Sequence, residues 1–543
     1  MKLNRLFILS ASVLMLSACE GFLDKTPLVQ MGAETYYSNE DELNAAALGT
    51  YAVMQNETYQ LGHYMVWGDV CSDDADLGNN KSDAYNWFGG NCLAMQDFSM
   101  LPTNGQATGH WNQGWTMINA ATQLIENGKD KNDIPNKDRY VGEGYFLRAY
   151  AYFNLLTQYA DAGGQWGLPI VDHILTYDEY YMPRATLADT WTHIENDLKK
   201  AAELLPEKWD GANIGRVTKG AAMSLLGKSY IYQSKWQNAY DILQDVEEAG
   251  WYKLEPKFAD VFALSHENGI ESIFEIQHSI SGTGWSESEE ATISIVYQDE
   301  VGIKQSDIDA GYVGADEKVS EKCETGWSMH CPTDDLIAAF EPGDPRLGAT
   351  VIAPNEFYDG HIHYNLGSNN GYQPKKFYTN FADRFAGDES DLPTNIIVIR
   401  YADVLLFLAE AANELGKPGE ALAYLEQVRG RARSNSDDPT VLPKVTTTNK
   451  DELREAIWHE RRVELALEYH RTYDLVRQGR FGKVMKAYYE KYKDVEVQHP
   501  NMPERIYKTN KGKNFVEGKN EYCPLPQRAI DDSRGSVVQN SGY

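Results

Sequence analysis

The chain has 543 residues, 80 of them acidic and 50 basic, for a net charge of −30 at pH 7. That length is ample for one large core or several, and the acidity excludes a nucleic-acid binder, whose surface must neutralise phosphates. With 42% hydrophobic residues the composition is that of a globular protein, and beyond residue 19 no apolar run is long enough to cross a bilayer as a helix.

Residues 1–18 read as an export signal. Lys2 and Arg5 supply the positive start, Leu6 to Leu16 the short apolar run, and Leu16-Ser17-Ala18-Cys19 follows. A Cys directly after small residues resembles a bacterial lipobox, which implies lipidation of Cys19 and a protein anchored to the membrane rather than spanning it. A short tether leads to the first helix, which Ser38 or Asn39 caps and which runs through Ala52 with Leu43, Ala46, Ala47 and Tyr51 as its apolar stripe.

Tyr59 to Thr108 has no sustained period and is rich in Gly, Asn, Asp and aromatics, the composition of a long functional loop. Within it, Asp69, Asp73, Asp74 and Asp76 offer calcium-like chemistry without EF-hand spacing. No cofactor is expected, a calcium ion at this loop being the alternative. Cys71–Cys92 and Cys323–Cys331 are the candidate bridges of an exported chain, with buried free thiols as the other reading.

Helical periodicity returns from His110 to Asn127, with Trp111, Trp115, Ile118, Ala121 and Ile125 in step, and from Asp138 to Tyr159, where Phe146, Tyr150, Phe153 and Leu156 share a face. Gly163 to Pro169 breaks the pattern, and Thr186 or Asp189 opens the next helix. Val217 to Ala249 reads as a helical hairpin whose small residues Gly227 and Ala239 match the spacing of Ala409 and Ala421 in a second hairpin. Trp251 to Asn395 lacks helical period, apart from a short strand at Ile270 to Gln277, and carries Trp285, Tyr297, Trp327 and further aromatics among Gly, Asp and Asn. It reads as an insertion into a helical scaffold.

The second hairpin lies in the stretch from Ile396 to Gly479. Tyr401, Leu405, Leu408, Ala412 and Leu415 form one helical face; Gly416-Lys417-Pro418-Gly419 ends that helix and starts the next. Its wording, IRYADVLLFLAEAANELG, EQVRGRAR and ERRVELALEYHRTYDLVR, closely resembles the C-terminal signature of the SusD/RagB family of cell-surface glycan-binding lipoproteins. The tail EYCPLPQRAIDDSRGSVVQNSGY resembles the family ending, with Ser541 where the family usually has Pro and Cys523 in place of an aliphatic residue.

The resemblance implies a mostly α, tetratricopeptide-like helical-repeat scaffold with a long loop-rich insertion carrying minor β structure. One domain spans 19–543: scaffold 36–250 and 396–480, insertion 251–395, extended tail 481–543. It also implies glycan contacts from a loop ahead of the first repeat helices and from the insertion. The matching places are Tyr85, Asn86, Trp87 and Phe88, and the surroundings of Trp285 and Trp327. Such side chains suit a sugar, whose apolar C–H face stacks on a ring while its hydroxyls meet planar polar groups. The implied partners are an oligosaccharide and a SusC-like TonB-dependent outer-membrane transporter, at the outer membrane, facing outward. A surface glycoside hydrolase and a transporter lid for peptides or glycopeptides are the competing readings.

Two catalytic patterns fail on their chemistry. Ala222 to Ser229 fits a loosely written phosphate loop, but Met223 to Leu226 is no Gly-rich turn and helical period runs through it. His459-Glu460 opens like a zinc-protease helix, yet Val463 stands where the second His is required. Glu460 and Glu464 share a largely apolar face, and Arg471 with Arg429 or Arg433 is expected to neutralise them.

Overall fold

The computed structural model describes residues 36–78, 90–279, 329–383 and 392–543. Helix α1 (Glu40–Ala52) begins where the Asn39 side chain accepts from the Glu42 N–H, as its polar entry predicts. The next segment corrects the sequence reading. Glu57–Gln60 is helical, and Leu61–Val70 continues as a π-helix in which every residue is buried. An element covered on all sides has no polar face, so it leaves no amphipathic period to read. Strand β1 (Ala75–Asp76) follows, buried as well.

Helices α2 (Gly105–Gly128), α3 (Lys137–Tyr159), α4 (Leu187–Leu204), α5 (Lys219–Tyr232) and α6 (Trp236–Glu248) then stack each against the next. Thr186 caps α4 by accepting from the Asp189 N–H, and Thr218 caps α5 in the same way at Ala221. At the α5–α6 crossing a Cβ on Gly227 would lie 2.3 Å from a Leu243 methyl, so only glycine lets the two helices approach this closely.

The insertion opens with β2 (Ser272–Ile276) and runs through β3 (Cys331–Pro332), β4 (Val351–Ile352), the hairpin β5 (Glu356–Tyr358) and β6 (His361–His363), and β7 (Gln373–Pro374). It closes with β8 (Ile396–Arg400), which pairs antiparallel with β2. The sequence reading finds β2 but not β8, because the five buried residues of β8 run straight into the apolar face of the following helix. The β2–β8 pair ties the two ends of the insertion together.

Helix α7 (Tyr401–Glu414) therefore leaves that pair positioned to pack on α6, and α8 (Pro418–Ser434, with Pro at its first turn) completes the hairpin. Lys417 Nζ sits 3.8 Å from the centroid of the Tyr240 ring across this joint. Two hairpins far apart in sequence are thus neighbours in one helical stack, and a single apolar cluster runs through it from Met54 to Leu525.

Helix α9 (Lys450–Glu464) stops earlier than its period implies. Leu467 and Tyr469 have left-handed backbones, at φ 60° and 68°, and α10 (Arg471–Arg477) starts afresh, followed by α11 (Phe481–Tyr492). The break lets the Tyr469 N–H reach Asp69 Oδ2 at 3.0 Å. Gly68 has no side chain because a Cβ there would lie 2.6 Å from the Tyr469 carbonyl oxygen.

The acidic face of α9 is neutralised differently from expectation. Arg429 does bond Glu460, at 2.9 Å, but Arg471 turns to Asp73 and Arg433 to Glu426. The insertion and β8 supply the rest. Arg346 bonds Glu460 (2.6 Å) and Glu464 (3.0 Å); Arg400 bonds Glu271, Glu464 and Glu468 (each 2.7 Å); Lys376 bonds Glu468 (2.6 Å). Arg431 joins Glu464 to Glu271. Burial alone would raise Glu464, but Arg431, Arg400 and Arg346 outweigh it and hold the carboxyl well below the ordinary range.

The tail returns to the first repeat. Asn540 Nδ2 donates to the carbonyls of Cys523 (2.7 Å) and Tyr159 (3.1 Å), while Arg184 donates to Asn540 Oδ1 (2.7 Å). The Ser541 N–H donates to Asp161 at 3.0 Å, a bond that proline at this position could not make. Cys71 and Cys523 are free, buried thiols, so the Cys71–Cys92 bridge does not form; Cys323 lies outside the described residues.

Two measurements check this energetics. Glu464→Gln removes one partner from a network water does not reach and should cost about 3–5 kcal/mol in chemical denaturation; an unchanged midpoint would show that the network contributes nothing. Burial holds the His470 imidazole at about 4. An unfolded imidazole protonates near pH 6.5, so the unfolded chain gains the proton first, and stability present above 6.5 is lost as pH falls toward 4. His470→Gln should flatten the slope in that window by about 1.4 kcal/mol per pH unit.

Candidate functional site

The proposed sugar contacts Tyr85, Asn86, Trp87, Phe88, Trp285 and Trp327, and the lipidation site Cys19, lie outside the described residues. What the structure gives is the ground on which their segments stand. Strand β1 pairs antiparallel with β3, with Ala75 opposite Pro332 and Asp76 opposite Cys331. Gly78, where the description pauses before 79–89, is two residues past one strand; Met329, where it resumes after 280–328, is two residues before the other. Antiparallel pairing puts both of those chain ends at the same end of the ladder.

The ladder is held rigidly. Asp69, at the end of the π-helix, accepts from the Tyr469 N–H and bonds His330 Nε2, both at 3.0 Å, so one carboxylate joins the early segment, the insertion and the scaffold. Thr333 donates from its hydroxyl to the Asp73 carbonyl (2.6 Å) and from its N–H to the Asp74 carbonyl (2.9 Å). From α9, Arg462 reaches Asp73 (3.0 Å), Asp74 (2.7 Å) and Asp335 (2.9 Å), and Arg471 reaches Asp73 at 2.9 Å.

Burial raises Asp73, yet Arg462 and Arg471 prevail and lower it. Burial prevails at Asp74, with Asp73 and Asp69 adding to it against the two arginines, and pushes that carboxyl up to about 6. Lys511, fully buried, bonds Asp76 at 2.6 Å. The four aspartates read as calcium-like are thus engaged by Arg, Lys, His and backbone N–H groups, which is the chemistry of a structural clamp.

Beneath the ladder is a narrow cleft of about 380 Å³, counted out to open solvent, lined by Asp76, Asp334, Asn369, Asn370, Tyr488 and Tyr492 among others. Asn370 Nδ2 donates to the Pro332 carbonyl (3.0 Å) and to Asp334 (2.9 Å). Asn369 Nδ2 donates to the Leu77 carbonyl at 3.1 Å, while its Oδ1, buried, has no partner among the described residues. The sequence reading passes over these residues. The near-continuous apolar run HYMVWGDV was the available signal for a buried, load-transmitting element before the loop.

The two catalytic patterns are structural. Lys228 is buried in the middle of α5, 3.9 Å from Asp403, and His459 lies 3.8 Å from Glu341.

Helical stack, pinned insertion and ladder together define a helical-repeat scaffold in which residues 78 and 329 lie at the same end of the β1–β3 pair. Comparison with known proteins gives the class its name. The profile of the SusD family matches residues 270–543, and a second, described as "Starch-binding associating with outer membrane", matches 21–231. The chain belongs to the SusD family. It is 26% identical over 539 residues to the SusD-like protein P2 of Formosa agariphila, covering 96% of each chain. It is 24% identical over 571 residues to a SusD-like protein of Bacteroides ovatus, covering 97% of this chain and 93% of the other. A solved laminarin-binding SusD-like protein shares the fold at TM-score 0.72 and 26% identity, covering 93% of this chain and 100% of that one. Surface glycan-binding protein A of Bacteroides thetaiotaomicron, solved with laminarihexaose, shares the fold at TM-score 0.69 over the same shares, at 20% identity.

Asp69→Ala tests the clamp. Leaving the Tyr469 N–H and His330 without their acceptor should cost about 1–3 kcal/mol. Hydrogen exchange at the Tyr469 amide should rise with it; unchanged exchange would remove Asp69 from its role.

Proposed function

We propose that this protein is a lipid-anchored, outer-membrane-associated glycan-binding protein. It grips an oligosaccharide between segments 79–89 and 280–328 and passes it to a SusC-like TonB-dependent barrel without breaking a bond. The observation that supports the reading is the β1–β3 rung, which brings residue 78, where the first segment starts, beside residue 329, where the second ends, on a SusD-family scaffold. A relative named for laminarin at 26% identity supports a glycan ligand, and the matched profile described as associating with the outer membrane supports the location.

The division of labour follows from physics. A sugar ring offers one apolar face and a rim of hydroxyls, so it is held by ring stacking and by planar polar groups that replace water. Tyr85, Trp87, Phe88, Trp285 and Trp327 supply rings, and Asn86 a carboxamide. A frame that does not move avoids part of the ordering cost of association, so weak individual contacts add to useful affinity. The lipid on Cys19 keeps the protein beside its transporter and raises the local concentration of the pair.

The test is calorimetry of the protein against a panel of neutral and acidic oligosaccharides. Trp87→Ala, Trp285→Ala and Trp327→Ala should each weaken binding about tenfold, 1.4 kcal/mol, with melting unchanged. Retained affinity in all three would end the site assignment, and release of reducing ends from a bound polysaccharide would replace the binding reading with a hydrolase.

A further inference from the structure

The insertion has a second cleft, away from the β1–β3 ladder. Its walls are the one-turn helices Phe258–Phe262 and Leu264–His266, the short helix Leu347–Thr350, Tyr358 of β5, and the strand-to-turn segment from Lys375 to Asp383. It holds about 1330 Å³ counted out to open solvent, against about 380 Å³ under the ladder. Segment 369–380 connects the two, with Asn369 and Asn370 at the first cleft and Lys375, Tyr378 and Asn380 at the second.

The lining has the chemistry of a sugar platform. Tyr358 and Tyr378, both half-buried, meet edge to face with ring centroids 5.3 Å apart, and Phe262 adds a third ring. Rings locked against one another present their surfaces with little entropy to lose. The exposed carboxamide of Asn380 stands 3.5 Å from the Tyr358 hydroxyl, and Ser265 adds a hydroxyl.

Charge narrows the ligand further. Among the described lining residues the lysine is Lys375, which lies 4.0 Å over the Tyr358 ring and bonds Glu356 at 2.8 Å, so its charge is already matched. Asp359, which accepts from the Tyr378 hydroxyl at 3.1 Å, and Asp383 at the mouth leave an excess of negative charge. Burial first, then Asp359 and Glu356, raises the Tyr358 phenol, which agrees with that field. Among the described lining residues no unmatched cation offsets the desolvation of a uronate or sulfate group, which would meet repulsion here. A lipid tail would leave the polar wall unsatisfied.

We infer that the cleft bounded by Phe262, Gly348, Tyr358, Tyr378 and Asn380 is a second saccharide site, selective for neutral over acidic sugar chains. The inference rests on the carbohydrate reading above but concerns a separate surface. Gly348 makes it testable, because a Cβ built there meets nothing within 4 Å, so a bulky side chain can enter the cleft without displacing the fold.

Calorimetry would use the full mature protein with neutral hexasaccharides (β-1,3-, β-1,4- and α-1,4-glucan, and mannan) and with hexagalacturonate. The wild type should bind a neutral hexasaccharide at two sites. Gly348→Trp should remove one of them, and Asn380→Ala should weaken the same one about tenfold, both with unchanged melting. Trp87→Ala should leave that site intact, and hexagalacturonate should not occupy it. A single site in the wild type, or stoichiometry and affinity untouched by both cleft variants, would overturn the proposal while the general glycan reading stands. Hexagalacturonate lost on Gly348→Trp would overturn the charge selectivity. A wild type that binds none of these sugars would sink both readings together.

Discussion

Arg400 and Glu464 meet where water does not reach, and the rest of the architecture depends on that contact. A charge in such a place is costly unless it is matched and hydrogen-bonded. Here each guanidinium serves several carboxylates drawn from different stretches of chain: Arg400 bonds Glu271, Glu464 and Glu468, and Arg346 bonds Asp344, Glu460 and Glu464. The partners are drawn from the insertion, strand β8 and helices α8 and α9, so an arrangement of these parts that breaks a contact leaves a buried charge unmatched. Apolar packing could bring these parts together in several registers; the ions select among them.

That selection is what turns a helical stack into a binding scaffold. The frame buries most of its apolar residues in one large cluster, and the insertion is held at its ends by the β2–β8 pair and in its interior by Arg346 and Lys376. The β1–β3 ladder stands on the same helix α9 through Arg462, whose neighbours on α9 look inward to the network. Rigidity at the ladder therefore follows from electrostatics in the core.

Much of this was legible in the sequence where period and punctuation agree. The α1 cap at Asn39, the α4 cap at Thr186, the hairpin with Gly227 and the Gly-Lys-Pro-Gly turn before α8 each follow from local chemistry, and the structure has them. The sequence was silent where burial is complete or contacts are distant. The π-helix from Leu61 to Val70 has no polar side, β8 merges into the apolar start of α7, and the break at Leu467 to Tyr469 answers to Gly68 and Asp69, about four hundred positions earlier. The partners of Glu464 could not be named from α8 and α9 alone, because Arg346 and Arg400 approach from the insertion and its closing strand. Of the site, the choice of segments came from family wording, and the placement of residues 78 and 329 at the same end of one strand pair came only from the β1–β3 register.

The clasp formed by Asn540 and Ser541 on Tyr159 and Asp161 sets an order of events. A chain synthesised from its amino end has all of helix α3 made long before residue 540 exists. Until then the carbonyl of Tyr159 has Arg184 but not Asn540, the carboxylate of Asp161 lacks the Ser541 N–H, and Arg184 lacks one of its acceptors. The first repeat can coil early yet stays unsealed at its far end. Completion is therefore coupled to the arrival of Asn540 and Ser541, and a chain cut before them would carry its defect in its oldest helices.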